Sequence, residues 1–139
     1  MSLTRKNLFR TGKLKFPFYW QNTSIEIALQ NILSKNGIKF ETQKVIDNFV
    51  QCDIFIEPNI IIFCDGCFWH GCQVCFPKKE LYKESQNKTI IRDVLVNQYF
   101  RQHTEYIVLR FWEHQINKDI NKVITAINQI YKGKHAICR

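Results

Sequence analysis

No run in this sequence approaches the roughly 20 uninterrupted apolar residues that a membrane-spanning helix needs, and the opening MSLTRKNLFR lacks the apolar stretch of a secretory signal. The chain is therefore expected inside the cell, without a membrane partner. Acidic residues are missing from the first 25 positions, Glu26 being the first. Internal repeats, linkers and low-complexity segments are absent as well. What remains is 139 residues, 45% hydrophobic and 14% aromatic, enough to fill one ordinary core.

The charge is one-sided. Twenty Lys and Arg against twelve Asp and Glu give +8, and the acid-free opening concentrates it. There Arg5, Lys6, Arg10, Lys13 and Lys15 alternate with Phe9, Phe16, Phe18, Tyr19 and Trp20, a pattern suited to a polyanion with stackable faces. Nucleic acid is the natural partner; a solubilising arm is the plainer alternative.

Six cysteines in a chain without a secretion signal do not point to disulfides, because four of them, Cys64, Cys67, Cys72 and Cys75, fall within twelve residues. Cys52 and Cys138 stand apart, one expected as a small apolar strand residue and the other in the tail. Thiolates spaced Cys67-x4-Cys72-x2-Cys75 in a loop containing Gly66, Gly71 and Pro77 can surround one tetrahedral zinc. The fourth ligand is either His114 or His70, with His114 favoured because its strand can return beside the strand ending at Cys64. Four protein ligands leave no open position, so such a zinc is structural.

Along the chain, Asn22-Thr23-Ser24 offers helix-capping side chains, and Ile25, Leu29, Ile32 and Leu33 predict a helix over roughly 24–36. Three β-rich runs follow: IKFETQKV from Ile38, CDIFIE from Cys52 and NIIIFC from Asn59. A turn at Glu57-Pro58-Asn59 pairs positions summing to about 117, which sets Asp53 opposite Cys64 to within one position and brings Asp65 close. Next come a long polar helix over about 81–102, with Ile91, Val94, Leu95 and Gln98 on one side, and a buried strand EYIVLRFW over 105–112. A final helix has Ile116, Ile120, Val123, Ile124, Ile127 and Tyr131 on one face, before the basic tail KGKHAICR. This order predicts an α/β fold, a mixed sheet flanked by helices.

Asp53 is an acid inside an apolar run, costly to bury unless paired, protonated or metal-bound. With Asp65 and the carbonyl of Cys64 it offers an oxygen-rich magnesium site; an ordinary salt bridge is the alternative. His70, in DGCFWH, is placed to take a proton from an attacking water. Glu26 and Asp93 read by themselves as solvated helix charges. Phe68 and Trp69 lie in a loop with little room to turn both rings into a core; the plain reading has one ring, Trp69, capping the zinc loop.

FCDGCFWHGCQVC, followed by IRD at Ile91–Asp93 and LRFWEH at Leu109–His114, closely resembles the very short patch repair endonucleases, and the likeness extends from about Asn22 to Tyr131 through NTSIE and CDIFIE. The resemblance implies a PD-(D/E)xK nuclease core over 22–131, between a basic arm at 1–21 and a basic tail at 132–139. It also implies nicking of double-stranded DNA beside a T:G mismatch; the chain is expected to act as a monomer, and a repair or methyltransferase partner is not readable from the sequence. By motif position, Asp53 and the Cys64 carbonyl correspond to magnesium ligands, and Asp65 to a further ligand or a supporting acid. His70 corresponds to the activator of water, and Glu26 and Asp93 to supporting acids, Asp93 orienting His70. Cys67, Cys72, Cys75 and His114 correspond to the zinc set, and Phe68 and Trp69 to the wedge. The arm before Asn22 departs from the family's N-terminal pattern. A restriction-type nuclease and a zinc-ordered DNA-binding module without catalysis are the alternatives.

Overall fold

Thr23-Ser24-Ile25-Glu26 is a helix start in which the acid three residues after the cap reaches back: Glu26 Oε2 accepts from the Thr23 backbone N–H at 3.0 Å. The structure, a computed structural model, describes residues 22–136. The basic arm with Arg5, Lys6, Arg10, Lys13 and Lys15, and Cys138 in the tail, lie outside the described residues. Helix α1 runs Ser24–Lys35 and buries Ile25, Leu29 and Leu33 along one face. It stops where Gly37 takes φ 69°, which lets the N–H groups of Gly37 and Ile38 return to the carbonyls of Ser34 and Leu33.

The run from Ile38 was expected as one strand, and it breaks in two. Gln43, at φ 54°, turns the chain between β1 (Glu41–Thr42) and β2 (Val45–Ile46). Strand β2 pairs with β3 (Val50–Gln51) in a separate hairpin, turned by Asp47 and Asn48, both at φ 54°. Cys52 is buried, but at the corner after β3 rather than within a strand. The hairpin of β4 (Ile54–Ile56) and β5 (Ile60–Asp65) pairs Ile54 with Ile62 and Ile56 with Ile60, one position from the expected register.

After the cysteine loop and a short 3-10 turn at Lys79–Leu81, α2 spans Glu84–Gln102 and leads to β6 (Ile107–Trp112), which lies parallel to β5. The main sheet has the order β1-β4-β5-β6, antiparallel except for its last pair. It is a mixed sheet with helices on both faces. Ile60, Ile62 and Cys64 of β5 face α1 and the C-terminal helices, whereas Ile61 and Phe63 face the β2–β3 hairpin and α2.

Three expectations about helices need correction. The closing helix is split at Asp119 into α3 (Glu113–Lys118) and α4 (Ile120–Ala136), although Ile116, Val123, Ile124 and Ile127 still enter one core. Helix α4 also runs into the segment read as a basic tail. On α2 the anticipated apolar face is turned outward: Ile91 is 62% and Val94 49% exposed. The buried stripe is Gln86, Val96 and Phe100, with Asp93 and Asn97 half-buried between them. Polar side chains occupy that stripe because they are spent on the site. No described helix is long and apolar enough to cross a membrane.

Ile62→Ala, in the centre of the sheet, is expected to lower unfolding free energy by about 2–5 kcal/mol, while Ile91→Ala should change it by less than about 0.5 kcal/mol. Urea denaturation of the two variants checks both values. Equal losses would return Ile91 to the core.

Candidate active site and metal centre

Parallel pairing of β5 and β6 sets Asp65 level with Trp112, so the chain leaves both strands at the same sheet edge. The cysteine loop and the start of α3 therefore meet there. Cys67, Cys72, Cys75 and His114 converge with their ligand atoms within 4.8 Å of one another. The three Sγ atoms lie 3.3, 3.6 and 3.5 Å from His114 Nδ1. Tetrahedral bonds of about 2.3 Å to sulfur and 2.0–2.1 Å to nitrogen imply edges of about 3.6 Å. The group can thus hold one zinc ion with little rearrangement. Burial, together with the adjacent thiols of Cys75 and Cys72, pushes the Cys67 thiol up to about 12. His70, the other candidate for fourth ligand, is turned elsewhere.

The elements around this edge enclose a cleft of about 710 Å³ lined by Glu26, Asp53, Cys64, Asp65, His70 and Asp93. Glu26 is not the solvated helix charge that its position suggested. It is 3% exposed, and its other oxygen accepts from Gln43 Nε2 at 2.6 Å. Asp53 Oδ2 accepts from the Cys64 backbone N–H at 2.7 Å. Withdrawal from water, then the charge of Glu26, push Asp53 up to about 7, against the lowering effect of the Cys64 N–H. Two acids, Glu26 and Asp53, crowd together here, which is costly without a cation or a retained proton.

His70 Nδ1 stands 2.6 Å from Asp93 Oδ2 and 3.7 Å from Asp65 Oδ1. Burial acts to lower its pKa, but the hydrogen bond to Asp93 and the charge of Asp65 outweigh burial and hold it above the usual 6.5. Asp93 was also expected in solvent as a plain helix charge; it is half-buried and committed to His70. Asp65 is 5% exposed and receives Arg110 Nη1 at 3.0 and 3.1 Å on its two oxygens. Arg110 also donates to Asn97 Oδ1 at 3.0 Å and lies over the Phe63 ring at 4.3 Å.

Arg110 went unrecognised in the sequence, although a charge inside the apolar run IVLRFW is the same signal that singled out Asp53. Gln43 and Glu113, whose Oε1 accepts from the Cys67 N–H at 3.1 Å, gave no such signal. Of the two wedge candidates, Trp69 is 56% exposed rather than packed as a cap. Phe68 is half-buried, with its ring edge-on to Trp69 and Phe76. Gly71, at φ 66°, has room for nothing more than hydrogen: a Cβ there would stand 2.6 Å from Ile90 Cδ1 and 2.9 Å from Tyr82 Cε2.

Two measurements test this geometry. His114→Ala should lower bound zinc from one per chain and reduce thermal stability with it, because affinity and folding are linked; elemental analysis showing unchanged zinc would remove His114 from the set. Asp53, whose folded-state pKa is raised from 3.8 to about 7, binds its proton more tightly when folded. Metal-free protein should lose stability as pH rises across that interval and reach a plateau above it. Asp53→Asn should abolish this fall, and magnesium should raise Tm more at pH 8 than at pH 5. Equal pH dependence in wild type and variant would contradict the assignment.

Comparison with known proteins bears on what this edge of the sheet does. Residues 18–75, which include Glu26, Asp53, His70 and the three clustered cysteines, match the family described as DNA mismatch endonuclease Vsr. The chain is also 28% identical over 121 residues to the Type II nicking enzyme V.NaeI of Lentzea aerocolonigenes, covering 80% of this chain and 72% of that protein. The two matches agree with the resemblance read from the motifs, and both support a DNA endonuclease.

Proposed function

We propose that the protein is a magnesium-dependent DNA endonuclease that nicks duplex DNA at or near a T:G mismatch and is held in shape by a structural zinc. The observation that carries this reading is the meeting, in one cleft, of the Asp53–Glu26 acid pair with a His70–Asp93 couple. A DNA-binding module has no use for two adjacent acids withdrawn from water in one cleft. The zinc set is Cys67, Cys72, Cys75 and His114.

Asp53 and the carbonyl of Cys64 are the groups suited to hold magnesium. In a strand the N–H and C=O of one residue point to the same side, and the Cys64 N–H already meets Asp53. Bound there, magnesium would supply positive charge to the scissile phosphate and its leaving oxygen. Asp65 serves as a supporting acid, since Arg110 occupies both its oxygens. Asp93 accepts the proton of His70 Nδ1, fixing the tautomer that leaves Nε2 free to receive a proton from water. Phe68 and Trp69 form the wedge, and Arg5, Lys6, Arg10, Lys13 and Lys15 supply contacts to the DNA backbone.

A second reading, sequence-directed nicking of restriction type, draws on the likeness to a Type II nicking enzyme. Labelled duplexes, matched and T:G-mismatched, incubated with and without magnesium, separate the two. A mismatch requirement supports repair, cutting of one matched sequence supports restriction, and no cleavage of any duplex refutes both.

Asp53→Asn should abolish nicking while DNA affinity is retained, and His70→Ala should slow it by about 10²–10⁴-fold without releasing zinc. Because His70 must be neutral to accept a proton, and its pKa lies above 6.5, the rate should rise with pH through that raised value. Asp93→Asn removes the main group raising it, so the rising limb should move to lower pH as the plateau falls. A limb that stays in place would separate Asp93 from His70.

A further inference from the structure

The segment from Phe68 to Gly71 touches α2 at three successive points of one helix face. Gln86 Nε2 donates to the Phe68 carbonyl at 2.8 Å. The Ile90 side chain fills the space beside Gly71. Asp93 Oδ2 meets His70 Nδ1 at 2.6 Å. Gln86, Ile90 and Asp93 follow at spacings of four and three, the repeat of one helical face, and seven residues separate its ends by about 10 Å. Gln86 is 2% exposed, and both ends of its amide are engaged, Oε1 accepting from the Lys83 backbone N–H at 2.8 Å. A buried amide with one end on its own helix start and the other on the loop fixes the distance between the two.

We infer that Gln86 is a positioning residue that ties the exposed Trp69 and its neighbour Phe68 to the same helix face that orients His70, so that seating of these rings in DNA and alignment of His70 depend on one another. The inference rests on the endonuclease reading for its substrate, duplex DNA. It assigns a role to a residue that touches neither DNA nor the reacting atoms. Phe68 and His70 are two residues apart, so a loop loosened at Phe68 displaces His70 against a partner, Asp93, that the helix holds still. Misplacement of a reacting group by about 1 Å can cost about 100-fold in rate.

The test uses two variants of the full chain. Gln86→Glu keeps the acceptor for the Lys83 N–H and places an acid at a favoured helix-start position, but it cannot donate to the Phe68 carbonyl. Gln86→Met removes both bonds. With zinc content and circular dichroism as folding controls, kcat and DNA affinity are measured on an intact duplex that the wild-type protein nicks, and the His70 Nδ1 proton is followed by NMR in the DNA-free protein. The inference expects Gln86→Glu to lower kcat by about 10- to 100-fold, to leave DNA affinity within about 2-fold, and to shift or broaden the His70 proton signal. Wild-type kcat together with an unchanged His70 signal would overturn it and leave the endonuclease reading standing. If the wild-type protein cuts no duplex, that reading falls, and the His70 signal alone decides whether Gln86 positions the ring. If Gln86→Met fails to fold, Gln86→Glu remains decisive.

Discussion

The parallel pairing of β5 with β6 is the constraint on which the rest of the structure depends. An antiparallel return would have carried the FWEH segment to the opposite edge of the sheet, away from the cysteine loop. Because the two strands run together, Asp65 lies level with Trp112, and the residues just beyond them fold over one another. The same pairing sets Phe63 beside Arg110, so the guanidinium covers that ring and reaches Asp65. A Cys3His group that could hold zinc and the cleft lined by Asp53, Glu26 and His70 thus meet where these two strands end, and the cysteine group brackets the loop that carries His70.

Charge inside this edge is handled by partners rather than by water. Arg110 neutralises Asp65 and stands 3.7 Å from Asp93, and Asp93 in turn holds His70. Asp53 and Glu26 form no ion pair among the described residues; amide donors from Cys64, Thr23 and Gln43 meet them instead. That asymmetry divides the cleft into a side whose charges are paired and a side whose carboxylates meet only neutral donors.

Much of this was legible in the sequence. The cysteine spacing, the acid within CDIFIE and the turn at Pro58 were local signals with direct physical meaning, and the register they implied came within one position. The buried roles of Glu26 and Asp93 were not legible from helix position alone and came only from resemblance, because an acid in the first turn of a helix is usually solvated. The inner face of α2 misled for a related reason. Its apolar residues Ile91 and Val94 are exposed, since Gln86, Asp93 and Asn97 are drawn inward by the loop, His70 and Arg110, and burial followed hydrogen-bonding demand instead of hydropathy. The break at Gln43 left no pattern in the run IKFETQKV, as left-handed backbone at a non-glycine residue carries no compositional mark.

The cysteine loop is uneven in how much room it leaves its residues. At Gly71 the left-handed backbone and the flanking Ile90 and Tyr82 exclude any side chain, whereas Val74, two positions beyond Cys72, is 79% exposed. Room for substitution within this loop is therefore greatest between Cys72 and Cys75, where Gln73 and Val74 are both exposed. In the inner half, from Cys67 to Cys72, a side chain at Gly71 would be strained by the left-handed backbone and crowded by Ile90, and an added residue would shift His70 out of step with Asp93. Among relatives, length variation should accumulate beyond Cys75, where the chain runs exposed toward α2, and the spacing between Asp65 and Cys72 should behave as a fixed ruler.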